Sequence, residues 1–123
     1  MTGTDHFQHG VPERITAFMQ SNLDNQLSLK SLARFLGYSE KYSSDVFQKL
    51  MGTTFSHSVK RLRVAKATAM LADGSFTIAA IAKSLGFNSP FAFSHFFKKA
   101  VGCSPSEFRK TELHDQRERN RRF

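Results

Sequence analysis

Cysteine is almost missing from this chain of 123 residues. Cys103 stands alone, which excludes an intrachain disulfide framework and any paired-thiol metal site and agrees with a reducing compartment. Long apolar runs are missing too, since no stretch approaches the roughly 18–20 residues that cross a bilayer, so a membrane partner is not expected. The N-terminus, Met1-Thr-Gly-Thr-Asp-His6, lacks a basic segment followed by an apolar one; no signal peptide is read there, and the cytoplasm is the expected location. Histidines are few and scattered. No nucleophile–base pair, carboxylate pair, phosphate loop or metal cluster can be assembled, so neither an enzyme nor a cofactor is expected. Acidic residues are scarce: 10 Asp+Glu face 18 Lys+Arg, a formal charge of +8 that favours an anionic partner, nucleic acid or an acidic membrane surface.

The length fits one domain, or two very small ones sharing a helix. Residues 1–11 are polar and read as a flexible arm, with His6 and His9 as plain polar residues rather than a metal site. Pro12 suits the first turn of a helix, because its missing N–H is not needed there. Ile15, Phe18, Met19 and Leu23 then follow helical spacing. At the other end, residues 112–123 read as a basic tail, frayed or disordered over the charge run Arg117–Arg122.

Between these ends the chain repeats itself. Leu29, Leu32, Ala33, Leu36, Gly37 and Tyr38 recur 49 positions later as Ile78, Ile81, Ala82, Leu85, Gly86 and Phe87. Ser28 and Thr77 stand as N-caps before these short helices, and the glycines stop them. A new helix starts at Ser39 in the first copy and at Ser89-Pro90 in the second, with Asn88 as the extra residue that shifts the offset to 50. Phe47–Gly52 then matches Phe97–Gly102. Each copy is helix, tight turn, helix, the arrangement in which the second helix of a helix-turn-helix enters the DNA major groove. The expected fold is all-α: a first helix-turn-helix subdomain over 12–55, a linker helix over 56–73 and a second subdomain over 74–111. The linker stretch lacks Pro and Gly, and its roughly 17 residues would span about 25 Å. Arg63 and Lys66 intrude on its apolar side and must snorkel or find a partner.

The stretch Ile81-Ala-Lys-Ser-Leu-Gly-Phe87, continuing through Ser94-His-Phe-Phe-Lys-Lys-Ala-Val-Gly-Cys-Ser-Pro-Ser-Glu-Phe-Arg109, closely resembles the signature of the AraC/XylS family of bacterial regulators. The resemblance covers roughly residues 12–111. It implies about seven helices, sequence-specific binding upstream of promoters and, for most members, activation. In length the chain is similar to the short MarA/SoxS-like members, or to the C-terminal part of a longer regulator. It departs from the family where a core leucine and a DNA-facing arginine are frequent: Ser43 and Asp45 stand there instead.

Helical phase assigns the candidate contacts. In the first reading helix Val46, Phe47 and Leu50 turn inward, leaving Lys41, Ser44, Asp45 and Gln48 for bases. Asp45 either accepts from a cytosine amino group or is neutralised by Lys49, four residues on. In the second, Phe93, Phe96 and Phe97 turn inward, leaving Phe91, Ser94, His95 and Lys98 for bases. An outward Phe91 suits either a thymine methyl group or local packing. Arg34, Ser39, Lys49, Lys60, Arg61, Ser89, Lys99 and Arg109 are the candidate phosphate contacts. Phe18, Phe35, Phe47, Phe93, Phe97 and Phe108 are assigned to the core. Three functions compete: a regulator bound to double-stranded promoter DNA as a monomer, with RNA polymerase as a partner; a protein-interaction module with weak DNA contact; and a non-specific nucleoid binder.

Overall fold

The computed structural model describes residues 3–24 and 27–121, with the side chains of residues 3–9 excepted. Among these residues it holds seven helices and no strand: α1 (Gly3–Ser21), α2 (Leu29–Leu36), α3 (Glu40–Met51), α4 (Phe55–Asp73), α5 (Ile78–Ser84), α6 (Pro90–Val101) and α7 (Pro105–Arg121). The chain divides into two compact units, residues 1–62 and 63–123, so the division falls within α4. No described helix is long and apolar enough to cross a membrane.

In the first unit the fully buried side chains are Ile15, Leu23, Leu32, Ser43 and Phe47, with Val11, Met19, Phe55 and Val59 close behind. Phe47 meets Phe55 edge to face at 5.4 Å, which seats α3 on the start of α4. Phe35 stacks on Phe18 at 4.4 Å but remains partly exposed, so it lies at the rim of the core to which the sequence assigned it. In the second unit Leu71, Ile81, Leu85, Phe93, Phe97 and Pro105 are fully buried. Phe97 packs against Phe93 and Phe108 at 5.8 and 5.6 Å. Each fully buried ring contributes roughly 1.5–3 kcal/mol.

Two expectations are corrected at the ends. α1 begins at Gly3, and Pro12 lies inside it rather than at its first turn. Val11, directly before the proline and buried with Ile15, Met19 and Leu23, continues the inward stripe one turn upstream of Ile15. The stretch read as a frayed tail is helical to Arg121. Its start is fixed by a reciprocal cap, in which the Glu107 carboxylate accepts the Ser104 N–H and the Ser104 hydroxyl accepts the Glu107 N–H. Farther on, Gln116 donates to the Ala72 carbonyl, and Arg119 and Arg121 pair with Glu112 and Glu118.

Candidate nucleic-acid interface

The two turns are built by the same local chemistry. Ser28 caps α2 through the Ser31 N–H, Thr77 caps α5 through the Ala80 N–H, and the hydroxyls of Ser39 and Ser89 accept from the N–H groups of Tyr42 and Ala92 at the starts of α3 and α6. Gly37 and Gly86 have φ of +80° and +85°, the left-handed conformation that lets the chain leave one helix and enter the next within a few residues. The α3 and α6 helices are therefore held in matching settings by their own residues.

Their burial is matched as well. Positions 43 and 47 of α3 and 93 and 97 of α6 are buried, one turn apart, while 41, 45, 48 and 49 and their counterparts 91, 95, 98 and 99 are exposed. Lys41, Asp45, Gln48, Phe91, His95 and Lys98 thus lie on the outer faces, with Lys49 and Lys99 beside them. Ser44 and Ser94 are half-buried at the flank of each face. Arg34, at the end of α2, and Lys60 and Arg61, on α4, are exposed.

Two site residues make contacts that the sequence did not indicate, and a third residue, in α3, is buried without a hydrogen-bond partner among the described residues. Asp45 pairs with Lys41 at 3.8 Å rather than with Lys49; both lysines lie one turn away, and the contact is made on the N-terminal side. Both side chains are largely exposed, so the pair neutralises charge on the outer face while adding little stability. Arg109 is engaged within its own unit: its Nε donates to the Leu71 carbonyl at 3.1 Å and one terminal nitrogen donates to the Phe76 carbonyl, which ties α7 to the end of α4 and the segment before α5. Ser43, at the position equivalent to Phe93, buries a hydroxyl that has no hydrogen-bond partner among the described residues.

Other features escaped the sequence reading. Tyr42, 53% exposed, meets Tyr38 edge to face at 4.7 Å beside the first turn; the apolar period marked neither as outward. Arg63, flagged only as needing a partner, lays its guanidinium over the ring of Phe87 at 5.5 Å, and burial pushes it below the usual arginine range. The repeat also runs farther than its apolar period revealed. Thr54 caps α4 through the His57 N–H as Ser104 caps α7, again 50 positions apart, so a third helix follows each reading helix.

Comparison with known proteins agrees with this construction. A family described as "Helix-turn-helix domain" matches residues 32–111. The chain is 30% identical over 106 residues to the HTH-type transcriptional activator AarP of Providencia stuartii, covering 86% of this chain and 78% of that protein. Among solved structures, the C-terminal domain of AraT, a response regulator from Geobacillus stearothermophilus, superposes with a TM-score of 0.74 at 33% identity, covering 80% of this chain and 83% of that one. A transcriptional regulator from Chromobacterium violaceum, described among AraC-type DNA-binding domain-containing proteins, gives 0.68 at 27% identity, with 79% and 87% covered. Other curated relatives are longer, and the chain spans 48% and 34% of two of them. With both capped turns, the two matched outer faces and these likenesses together, the chain belongs to the AraC family of helix-turn-helix DNA-binding domains.

Proposed function

We propose that the chain is a transcription regulator that binds a specific site in double-stranded promoter DNA, each unit offering its reading helix to a major groove. The observation that carries this is the doubling of one outer face: α3 and α6 repeat the same caps and the same order of buried and exposed positions on a chain of charge +8. A packing motif alone has no need to keep eight outer positions in register. Lys41, Ser44, Asp45, Gln48, Phe91, Ser94, His95 and Lys98 are the base-facing set. Arg34, Lys49, Lys60, Arg61 and Lys99 supply cations for phosphates, which fix orientation without reading sequence. Ser39 and Ser89 stand at helix N-termini, where free N–H groups and the helix dipole favour an anion.

Because both reading helices belong to one polypeptide, the chain binds as a monomer on an asymmetric site. Its likeness to AarP, named a transcriptional activator, supports activation, with RNA polymerase as the further partner. Work on promoter DNA sets its location in the bacterial cytoplasm, at the nucleoid. The test is selection from a library of random duplexes. A consensus of two unlike half-sites supports the reading; recovery of unrelated sequences favours non-specific binding, and recovery of none favours a protein-interaction module.

A further inference from the structure

Of the large hydrophobic side chains in the described part of the molecule, Phe91 is the most exposed, at 81%, ahead of Tyr42 at 53% and of Phe35 and Phe76 at 39%. It is the second residue of α6, in the first turn of the reading helix. One turn on, the His95 ring lies nearly parallel to it, 14° between planes with centroids 6.5 Å apart. The pair therefore forms one aromatic ridge on the outer face, bounded by exposed Lys98. Leaving a phenyl ring in water forgoes the stabilisation that burial would bring, and the equivalent position of the first unit's reading helix holds Lys41, its exposed aromatic, Tyr42, standing one residue on against Tyr38.

N-terminal residues of a recognition helix are those that meet base edges in the major groove. At such an edge a phenyl ring has neither donor nor acceptor to offer, so it distinguishes only the apolar feature there, the methyl group at C5 of a pyrimidine. Stacking on a base face is closed to it in a paired duplex read from the major groove. Lys41, by contrast, gives the first unit a charged contact at the same register.

Resting on the DNA-binding reading above, we infer that Phe91, buttressed by His95, reads the C5 methyl group of a pyrimidine in the second unit's half-site. Binding then depends on a substituent rather than on a hydrogen-bonding pattern. A thymine at that place is favoured over uracil, and 5-methylcytosine is favoured over cytosine. The ring lies far outside the core, so its replacement leaves the fold of the second unit intact.

The experiment uses the full chain and a duplex recovered from the random library. Each thymine in turn is replaced by deoxyuridine, which removes one methyl group and nothing else. The expected result is a loss of affinity of about three- to fivefold at one or two positions confined to one half-site, the loss of roughly one buried methyl group. In Phe91→Ala the same positions become insensitive to the exchange. Phe91→Leu retains part of the discrimination, and His95→Ala reduces it. Placing 5-methylcytosine opposite guanine at the sensitive position binds more tightly than unmodified cytosine. Equal affinity for thymine and uracil throughout a specifically bound duplex overturns the methyl contact while leaving the DNA-binding reading standing. So does a deoxyuridine effect that persists undiminished in Phe91→Ala. Failure of the wild-type chain to retain any duplex against random competitor overturns the DNA-binding reading and the methyl contact together.

Discussion

At position 43 the inner side of α3 carries a hydroxyl where α6 carries the ring of Phe93 at position 93. A buried polar group without a partner costs about 1–3 kcal/mol, and serine is a poorer helix former than alanine. Ser43→Ala is therefore expected to stabilise the chain by about 1 kcal/mol, visible as a higher urea midpoint at unchanged slope; a lower midpoint would mean that the hydroxyl is satisfied. Arg109→Ala removes two bonds to carbonyls and should destabilise the second unit by about 1–3 kcal/mol while leaving the salt dependence of DNA binding unchanged. A phosphate contact would instead lower the salt slope by about 1 with little change in stability. The outward positions 41, 45, 91, 95 and 98 were legible from helical phase alone, because Val46, Phe47 and Leu50 in α3 and Phe93, Phe96 and Phe97 in α6 mark the opposite side. The role of Arg109 was not, since its acceptors lie 38 and 33 residues away and nothing in the local pattern marks them. The partner of Asp45 was equally hidden: the sequence puts a lysine one turn away on either side, and side-chain geometry decides between them.

Among the elements, α2, α3, α5 and α6 were the most legible, because serine or threonine caps and stopping glycines bracket short apolar periods. The ends of the chain were misread for the opposite reason. Among the side chains described upstream of Pro12, Val11 alone carries the inward stripe, and the second half of α7 is accompanied by the Gln116 bond and two ion pairs rather than marked by an apolar period. The α7 cap also makes a pH-dependent contribution. The Ser104 backbone N–H, followed by its hydroxyl, holds the exposed Glu107 carboxyl below the usual carboxylate range. A group whose folded pKa is depressed stabilises when ionised, so this contribution is present at neutral pH and is lost as pH falls through the acidic range into the depressed folded value. Glu107→Gln should therefore flatten the acid side of the stability–pH profile of the second unit. A profile identical to that of the wild-type chain would show that the cap adds nothing.

For the whole molecule, the two units share a design and differ in charge. The outer face of α3 neutralises Lys41 with Asp45, whereas that of α6 offers Phe91, His95 and Lys98 with no acid. The second unit should accordingly hold the larger share of affinity. His95→Ala or Lys98→Ala should weaken specific binding by about 1–3 kcal/mol if the residue meets a base. Asp45→Ala should leave non-specific binding equal or tighter, since it frees Lys41; a loss confined to the specific site would mean that Asp45 reads a base, and a loss larger than both second-unit changes would reverse the ranking. The central claim, that one chain recognises a specific duplex through its own two reading helices, is tested most directly by a competition titration of the selected duplex across a range of salt. The complex should persist in excess random duplex with one protein chain bound, and the logarithm of affinity should fall with the logarithm of salt at a slope near −5 if about six phosphates are neutralised. Displacement by an equal amount of random duplex, or an affinity indifferent to salt, would contradict it.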